Sequence, residues 1–204
     1  MLKRAAVPQP TSLLLSYLPI FAGVLGVVVL GIALHYLKPR PQNQAAEFEL
    51  GRDYVRLDRP QPTSTGTKVE IAEVFYYPDK QSYLIAPLIQ RWVREQQSTV
   101  ELVRIPFVRE EQHHNYAKAY FTAQALDAAD ALHGVMLDAI HLSQCDLDSE
   151  DKLAEFFNNQ GFDPVAFRET FNTSKTLTAL KKAQLIVKGY GLDSVPAIIV
   201  NGTY

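Results

Sequence analysis

Disulfide chemistry needs two sulfurs, and this 204-residue chain holds one cysteine, Cys145. A single thiol cannot cycle between dithiol and disulfide within its own chain. Cys145 lies in Leu142-Ser-Gln-Cys-Asp-Leu-Asp148, beside Asp146, whose negative charge opposes the thiolate that a nucleophile requires. The expectation is an inert, packed thiol rather than a reactive one or a bridge to another chain. The histidines form no ligand set. His113 and His114 follow Glu110-Glu111, and His133 precedes His141 on one helical pattern, without the Cys or carboxylate spacing of a metal site. They are expected in a solvated loop and at the edge of a core, with no metal and no cofactor. No GxSxG, P-loop or dinucleotide-binding glycine pattern occurs. Two stretches keep chemical interest: Asp79-Lys80-Gln81-Ser82, opening an apolar helical pattern, and Val195-Pro196, ahead of a β-branched run. An aspartate in the first of these positions caps free backbone N–H groups.

The composition supports a packed core, with 47% hydrophobic and 21% charged residues. A net charge of -2 without long Lys/Arg runs gives no electrostatic reason to expect a nucleic-acid partner. Leu13 to Leu37 is an unbroken run without Asp, Glu, Lys or Arg, with Tyr17 and Tyr36 near its ends. As a helix it would be roughly 37 Å long, enough to cross a hydrocarbon core of about 30 Å. It is longer than the apolar part of a cleavable signal and ends in His35-Tyr-Leu-Lys-Pro-Arg40, so an uncleaved anchor is expected. Lys3 and Arg4 before it and Lys38 and Arg40 after it leave its orientation open. The chain divides into a tail over 1–12, a transmembrane anchor over 13–37, a polar linker over 38–52 and one globular domain over 53–204.

Within that domain the patterns predict strands at Tyr54 to Leu57, Val69 to Tyr77 and Val100 to Val108, and a helix from Ser82 to Gln97 capped by Asp79. From Asn115 to Gly189 only amphipathic helices are found: Tyr116 to Leu126, Ala128 to Leu142, Ser149 to Asn159, Pro164 to Thr170 and Lys175 to Lys188. Ala197 to Asn201 is a final strand. A helical block thus interrupts an α/β order before its last strand.

This order, and four local patterns, resemble the DsbA family of thiol:disulfide interchange proteins. Glu73-Val-Phe-Tyr-Tyr77 followed by Tyr83 is similar to the strand leading into that family's Cys-Pro-His-Cys helix. Tyr116-Ala-Lys-Ala-Tyr120 with Leu132-His133 and Ile140-His141, and Leu153-Ala-Glu-Phe156 with Gly161, resemble its insert helices. Gly191-Leu-Asp-Ser-Val-Pro196 through Val200-Asn-Gly-Thr-Tyr204 resembles its proline loop and the turn that follows. The resemblance covers about Tyr54 to Tyr204 and implies a thioredoxin-like fold with a helical insertion at about 115–189, preceded by one transmembrane helix.

On that register Asp79, Lys80, Gln81 and Ser82 stand where the family's Cys-Pro-His-Cys would be, so no catalytic residue is expected at the site. A carboxylate keeps negative charge at the helix start but cannot attack a disulfide, and a serine hydroxyl is far too basic to replace a thiolate. The resemblance also implies a cis Pro196, and a backbone at Val195-Pro196 able to pair with an extended peptide without any sulfur. It implies a bacterial inner-membrane location, with the amino terminus in the cytoplasm and the domain in the periplasm. The leading expectation is a non-catalytic, anchored domain that binds an extended peptide or a membrane-protein partner. The alternatives are a thiol:disulfide oxidoreductase and a structural accessory subunit of a membrane complex. Relatives are expected to continue past the Asn201-Gly-Thr-Tyr204 turn with a further strand and helix, so truncation, or completion of the sheet by a partner, is expected.

Overall fold

A computed structural model describes residues 48–204. The anchor expected over 13–37, the tail over 1–12 and most of the linker lie outside the described residues. The central strand, β1 (Val69–Phe75), is buried at every position after Val69, as its nearly continuous apolar run requires of a strand covered on both faces. β2 (Val100–Pro106) pairs parallel with it, Val69 opposite Val100 and Phe75 opposite Pro106. β3 (Ala197–Val200) pairs antiparallel on the other side, Val74 opposite Ala197 and Ile71 opposite Val200. The order is β2-β1-β3. Parallel neighbours need a crossover, and α1 (Lys80–Glu95) provides it, laying Ile89 and Val93 over Ile71 and Val100.

After β2 a short 3-10 turn (Glu111–His113) leads into α2 (His114–Ala125), α3 (Ala129–His141), α4 (Glu150–Asn159), α5 (Pro164–Phe171) and α6 (Ser174–Tyr190). Each of the last three starts on a side-chain cap expected of its residue type: Ser149, Asp163 ahead of Pro164, and Thr173 accept from Lys152, Val165 and Thr176 N–H. α6 ends on Gly191 at φ 67, a left-handed closure that glycine adopts without a Cβ clash. α6 covers the second face of the sheet, with Leu180, Ala183 and Val187 against Ala72, Val74 and Ile105. The insertion has its own core, in which Phe157, Phe167 and Phe171 are fully buried and which reaches Phe75 and Tyr77 at the sheet.

The structure departs from the expected elements and environments at four places. Tyr54 to Leu57 is no strand: Tyr54 makes one isolated bridge to Leu50, and Leu57 N–H donates to the Thr203 carbonyl, so the β-prone side chains lack a strand edge in register. β1 and β2 stop at Phe75 and Pro106, two residues short: Phe107 N–H still donates to the Phe75 carbonyl at 2.7 Å, and beyond it the chain leaves β1 into the turn at Tyr77-Pro78. His113 and His133 are buried, not solvated or at a core edge, since each ring has a polar partner inside and aromatic neighbours around it. Cys145 is exposed instead of packed, because α3 has ended at His141 and the segment before Leu147 lies on the surface. Past β3, Leu57 and Gln61 N–H donate to the Thr203 and Gly202 carbonyls at 2.8 and 2.7 Å.

Candidate functional site

The first turn of α1 leaves backbone N–H groups without intrahelical acceptors, and Asp79 meets that need. Its Oδ1 accepts from Ser82 N–H at 2.7 Å and from the Ser82 hydroxyl at 2.8 Å. Ser82 Oγ in turn accepts from Tyr76 N–H at 3.3 Å. The carboxylate and the hydroxyl thus bond to each other and to the turn that carries them. Ser82 is 1% exposed, so a substrate carbonyl cannot reach its oxygen, and among the described residues its hydroxyl bonds to Asp79 and Tyr76 N–H rather than to an imidazole or amine that could act as the base serine nucleophiles require. Lys80 and Gln81 are exposed and make none of these contacts.

The strand register brings the second candidate to the same place. Ala197 pairs with Val74, so Val195 and the cis-bonded Pro196 sit one step beyond, where β1 runs into Tyr76, Tyr77 and the start of α1. Both residues are half-buried, Val195 packing against the core under α6. The sheet end therefore unites the Asp79–Ser82 cap with the Val195-Pro196 loop, two stretches more than 100 residues apart in sequence.

Beneath this surface lies a buried polar group that the sequence reading did not single out. Glu73 is 0% exposed and points from β1 to Arg104, its register partner on β2, whose Nε donates to Oε2 at 3.2 Å. Arg104 Nη1 donates onward to Asp130 at 2.8 Å. Burial nevertheless dominates, and the Glu73 carboxyl is pushed above its ordinary range despite the guanidinium. Next to it the His133 ring lies edge-on to Phe75, with Nδ1 3.3 Å from the Tyr77 hydroxyl. Burial, aided by Arg104, depresses the His133 pKa to about 3, so the ring stays neutral. Among the described residues, Glu73 Oε1 and His133 Nε2 find no hydrogen-bond partner. His141 joins the site differently: its Nε2 donates to the Tyr77 carbonyl at 2.8 Å and its ring stacks on Tyr83 at 4.7 Å, tying α3 to the first turn of α1. A signal for the acidic group existed, because Glu73 and Arg104 interrupt two apolar strands, but their pairing depends on register.

The structure does not assemble the remaining candidates. His113 accepts from Glu110 N–H and packs on Tyr76 and Phe107, while His114 pairs with Gln184. Among the described residues no three His, Cys, Asp or Glu side chains converge as a metal site would require. Cys145 is held apart from the cap, its neighbours Asp146 and Asp148 both bonded to Lys152.

Comparison with known proteins agrees with this architecture. The model of the DSBA-like thioredoxin domain matches residues 38–203. The thiol:disulfide interchange protein DsbA of Pseudomonas aeruginosa is 27% identical over 161 residues, covering 79% of this chain and 76% of that protein. Its namesake from Azotobacter vinelandii is 26% identical over 182 residues, 89% of this chain and 85% of the relative. Among solved structures, Pseudomonas aeruginosa DsbA superposes with a TM-score of 0.72 at 26% identity, over 78% of this chain and 83% of that one. The oxidoreductase DsbA from Xylella fastidiosa also gives 0.72, at 27% identity, over 77% of this chain and 86% of its own.

Proposed function

We propose that this chain, which belongs to the DSBA-like thioredoxin domain family, is a redox-silent member that binds an extended peptide or a membrane-protein partner at the sheet end formed by Asp79, Ser82 and Val195-Pro196. The observation that carries this reading is the cap itself: where the family resemblance would place the attacking thiol stands a carboxylate already bonded to Ser82 N–H and Oγ. Thiol exchange needs a thiolate and a second sulfur to resolve the mixed disulfide, and the chain's single cysteine, Cys145, lies on another segment. A half-buried X-Pro loop at the end of an antiparallel strand needs no sulfur to pair its backbone with an extended segment. The apolar run from Leu13 to Leu37 supports a single membrane-spanning anchor, and the family supports a bacterial inner-membrane location with the domain in the periplasm.

Incubated with reduced insulin, the full chain is expected to give no disulfide exchange above background, and clear turnover would restore the oxidoreductase reading. The double variant Asp79→Cys with Ser82→Cys is expected to gain exchange, because the helix start and the Pro196 loop are already in place. The binding half of the proposal is read by crosslinking in membranes, where Val195→Arg should abolish capture of the partner. Undiminished capture would place the interaction elsewhere and favour an accessory-subunit role.

A further inference from the structure

A cleft of about 550 Å³ lies between α6, α2, β2 and the segment that leads into β1, within the size range of small-molecule sites, about 300–1,000 Å³. Phe121 from α2, Val103 from β2 and Ala183 and Ile186 from α6 give it apolar walls. Glu70, near the start of β1, lines it as well and is 3% exposed.

One oxygen of the Glu70 carboxylate is used and the other is not. Ser64 N–H and the Ser64 hydroxyl both donate to Oε2, at 2.7 and 2.9 Å, and Ser64 itself lines the cleft. Oε1 has no hydrogen-bond partner among the described residues, yet it is not sealed from solvent as Glu73 Oε1 is. Burial and then the charge of Glu70 push the Tyr190 phenol up, which puts this second cleft side chain within electrostatic reach of the carboxylate. The cations nearby in the sheet are engaged elsewhere, Arg104 with Glu73 and Asp130 and Lys68 with Glu101. Lys182 lines the cleft from an exposed position and makes no ion pair with Glu70.

A nearly buried carboxylate with one open oxygen favours a cationic donor. The number of open acceptors decides which cation. A guanidinium fork is matched by two carboxylate oxygens, and Oε2 already takes two donors, whereas an ammonium is a point charge that one oxygen can hold. The apolar walls suit the methylene stem that carries such a head group. Lys182 repels a second positive charge, which disfavours diamines and polyamines. The remaining polar liners outside this account, Gln61, Thr63 and Gln124, are uncharged.

We propose that the cleft under α6 binds a single primary ammonium group on an aliphatic stem, as a lysine side chain or a small alkylamine bears, with the ammonium donating to Glu70 Oε1 and the stem against Phe121 and Ile186. None of Asp79, Ser82, Val195 and Pro196 lines this cleft, so the site holds or fails independently of the function proposed above.

NMR of the full chain carrying isotope-labelled tyrosine, read at the Tyr190 ring, tests it. n-Pentylamine is expected to shift that resonance saturably. n-Pentanol, with the same stem and no charge, should bind at least about tenfold more weakly for want of the charge-assisted bond, and n-butylguanidine should also bind more weakly than the amine. Glu70→Gln should abolish the response to n-pentylamine. Ala179→Trp, which fills the cleft from a half-buried position on α6, should do the same if the first variant folds poorly. Nα-acetyl-lysine N-methylamide separates the two sources: binding as tight as that of n-pentylamine assigns a lysine side chain, and its exclusion assigns a free amine. Val195→Arg should leave every response unchanged. Equal binding of the alcohol, equal or tighter binding of the guanidine, no saturable shift, or full binding by either cleft variant overturns the proposal.

Discussion

Two polar networks lie near the start of α1, and they are opposites. At the surface, Asp79, Ser82 and Tyr76 N–H form a closed set in which the carboxylate and hydroxyl are engaged. Below it, Glu73, Arg104 and Asp130 with His133 and Tyr77 form an open one, holding two buried atoms without partners among the described residues. The surface set resembles ordinary helix capping, worth about 1 kcal/mol. The deeper set carries the electrostatic tension, with a carboxyl pushed up by burial and an imidazole pushed down. A satisfied helix cap and a buried charged layer thus coexist at one end of the sheet. The placement of strain, rather than the reactive positions, distinguishes the two.

The sharpest way to break this comparison is to remove Glu73. Glu73→Leu leaves the Arg104 guanidinium, whose side chain is 5% exposed, with only the exposed Asp130 as counter-ion. Taking one partner from a buried pair costs about 3–5 kcal/mol, because the other charge stays buried. Urea unfolding followed by the fluorescence of Trp92, the single tryptophan, should register that loss. Adding Arg104→Met should recover most of it, since replacing both members of a buried pair by apolar groups is often neutral or stabilising. If the double variant is no better than the single one, the pair is not the source of the cost.

A second contrast appears against pH, with opposite signs at the two groups. The folded His133 stays neutral to about pH 3, whereas an unfolded histidine takes a proton near pH 6.5. Its contribution is therefore complete above pH 6.5 and is lost as pH falls toward 3, at about 1.4 kcal/mol per unit. Glu73 runs the other way: its raised carboxyl contributes below the ordinary value of 4.5 and loses that contribution as pH rises through the raised value. Arg104, Glu73, Asp130 and the Tyr77 and Tyr120 phenols face this cluster, so the two ramps overlap in the wild-type chain. Subtracting stability curves separates them. His133→Phe should lose the acid-side ramp and Glu73→Gln the opposing one, and a His133→Phe curve parallel to wild type from pH 6.5 to 4 would remove the histidine from the account.

How much of this was legible beforehand follows from sequence distance. The Asp79 cap spans three residues, so the residue types and helical spacing were enough to place it. The five-helix insertion followed from amphipathic periodicity, and its boundaries moved by only a few residues. Glu73 and Arg104 are 31 residues apart, and His133 and Tyr77 are 56 apart, so neither pairing exists until register and helix packing are set. His133 did carry a signal, since it shares the stripe of Leu132, Met136 and Leu137, all buried on α3. Judging it by its polarity rather than its place on that stripe put it at the core edge. Tyr54 to Leu57 failed for a related reason: β-prone side chains make a strand only where a partner edge is offered.

The smallest expected effect is at the cap, and it is the one that can reverse the comparison. Asp79→Ala removes the acceptor of both Ser82 N–H and the Ser82 hydroxyl, while Tyr76 N–H still donates to that oxygen. Cap losses typically cost about 1 kcal/mol and reach about 2. The higher end is expected here, because Ser82 at 1% exposure has no water to take the hydroxyl proton. Adding Ser82→Ala to Asp79→Ala should then return part of the loss, since the orphaned donor goes with it. Asp79→Asn, which caps about as well, should stay near wild type. If Asp79→Ala instead matches Glu73→Leu in urea, the surface network holds the sheet end together as firmly as the buried one, and the contrast between a relaxed surface and a strained interior fails.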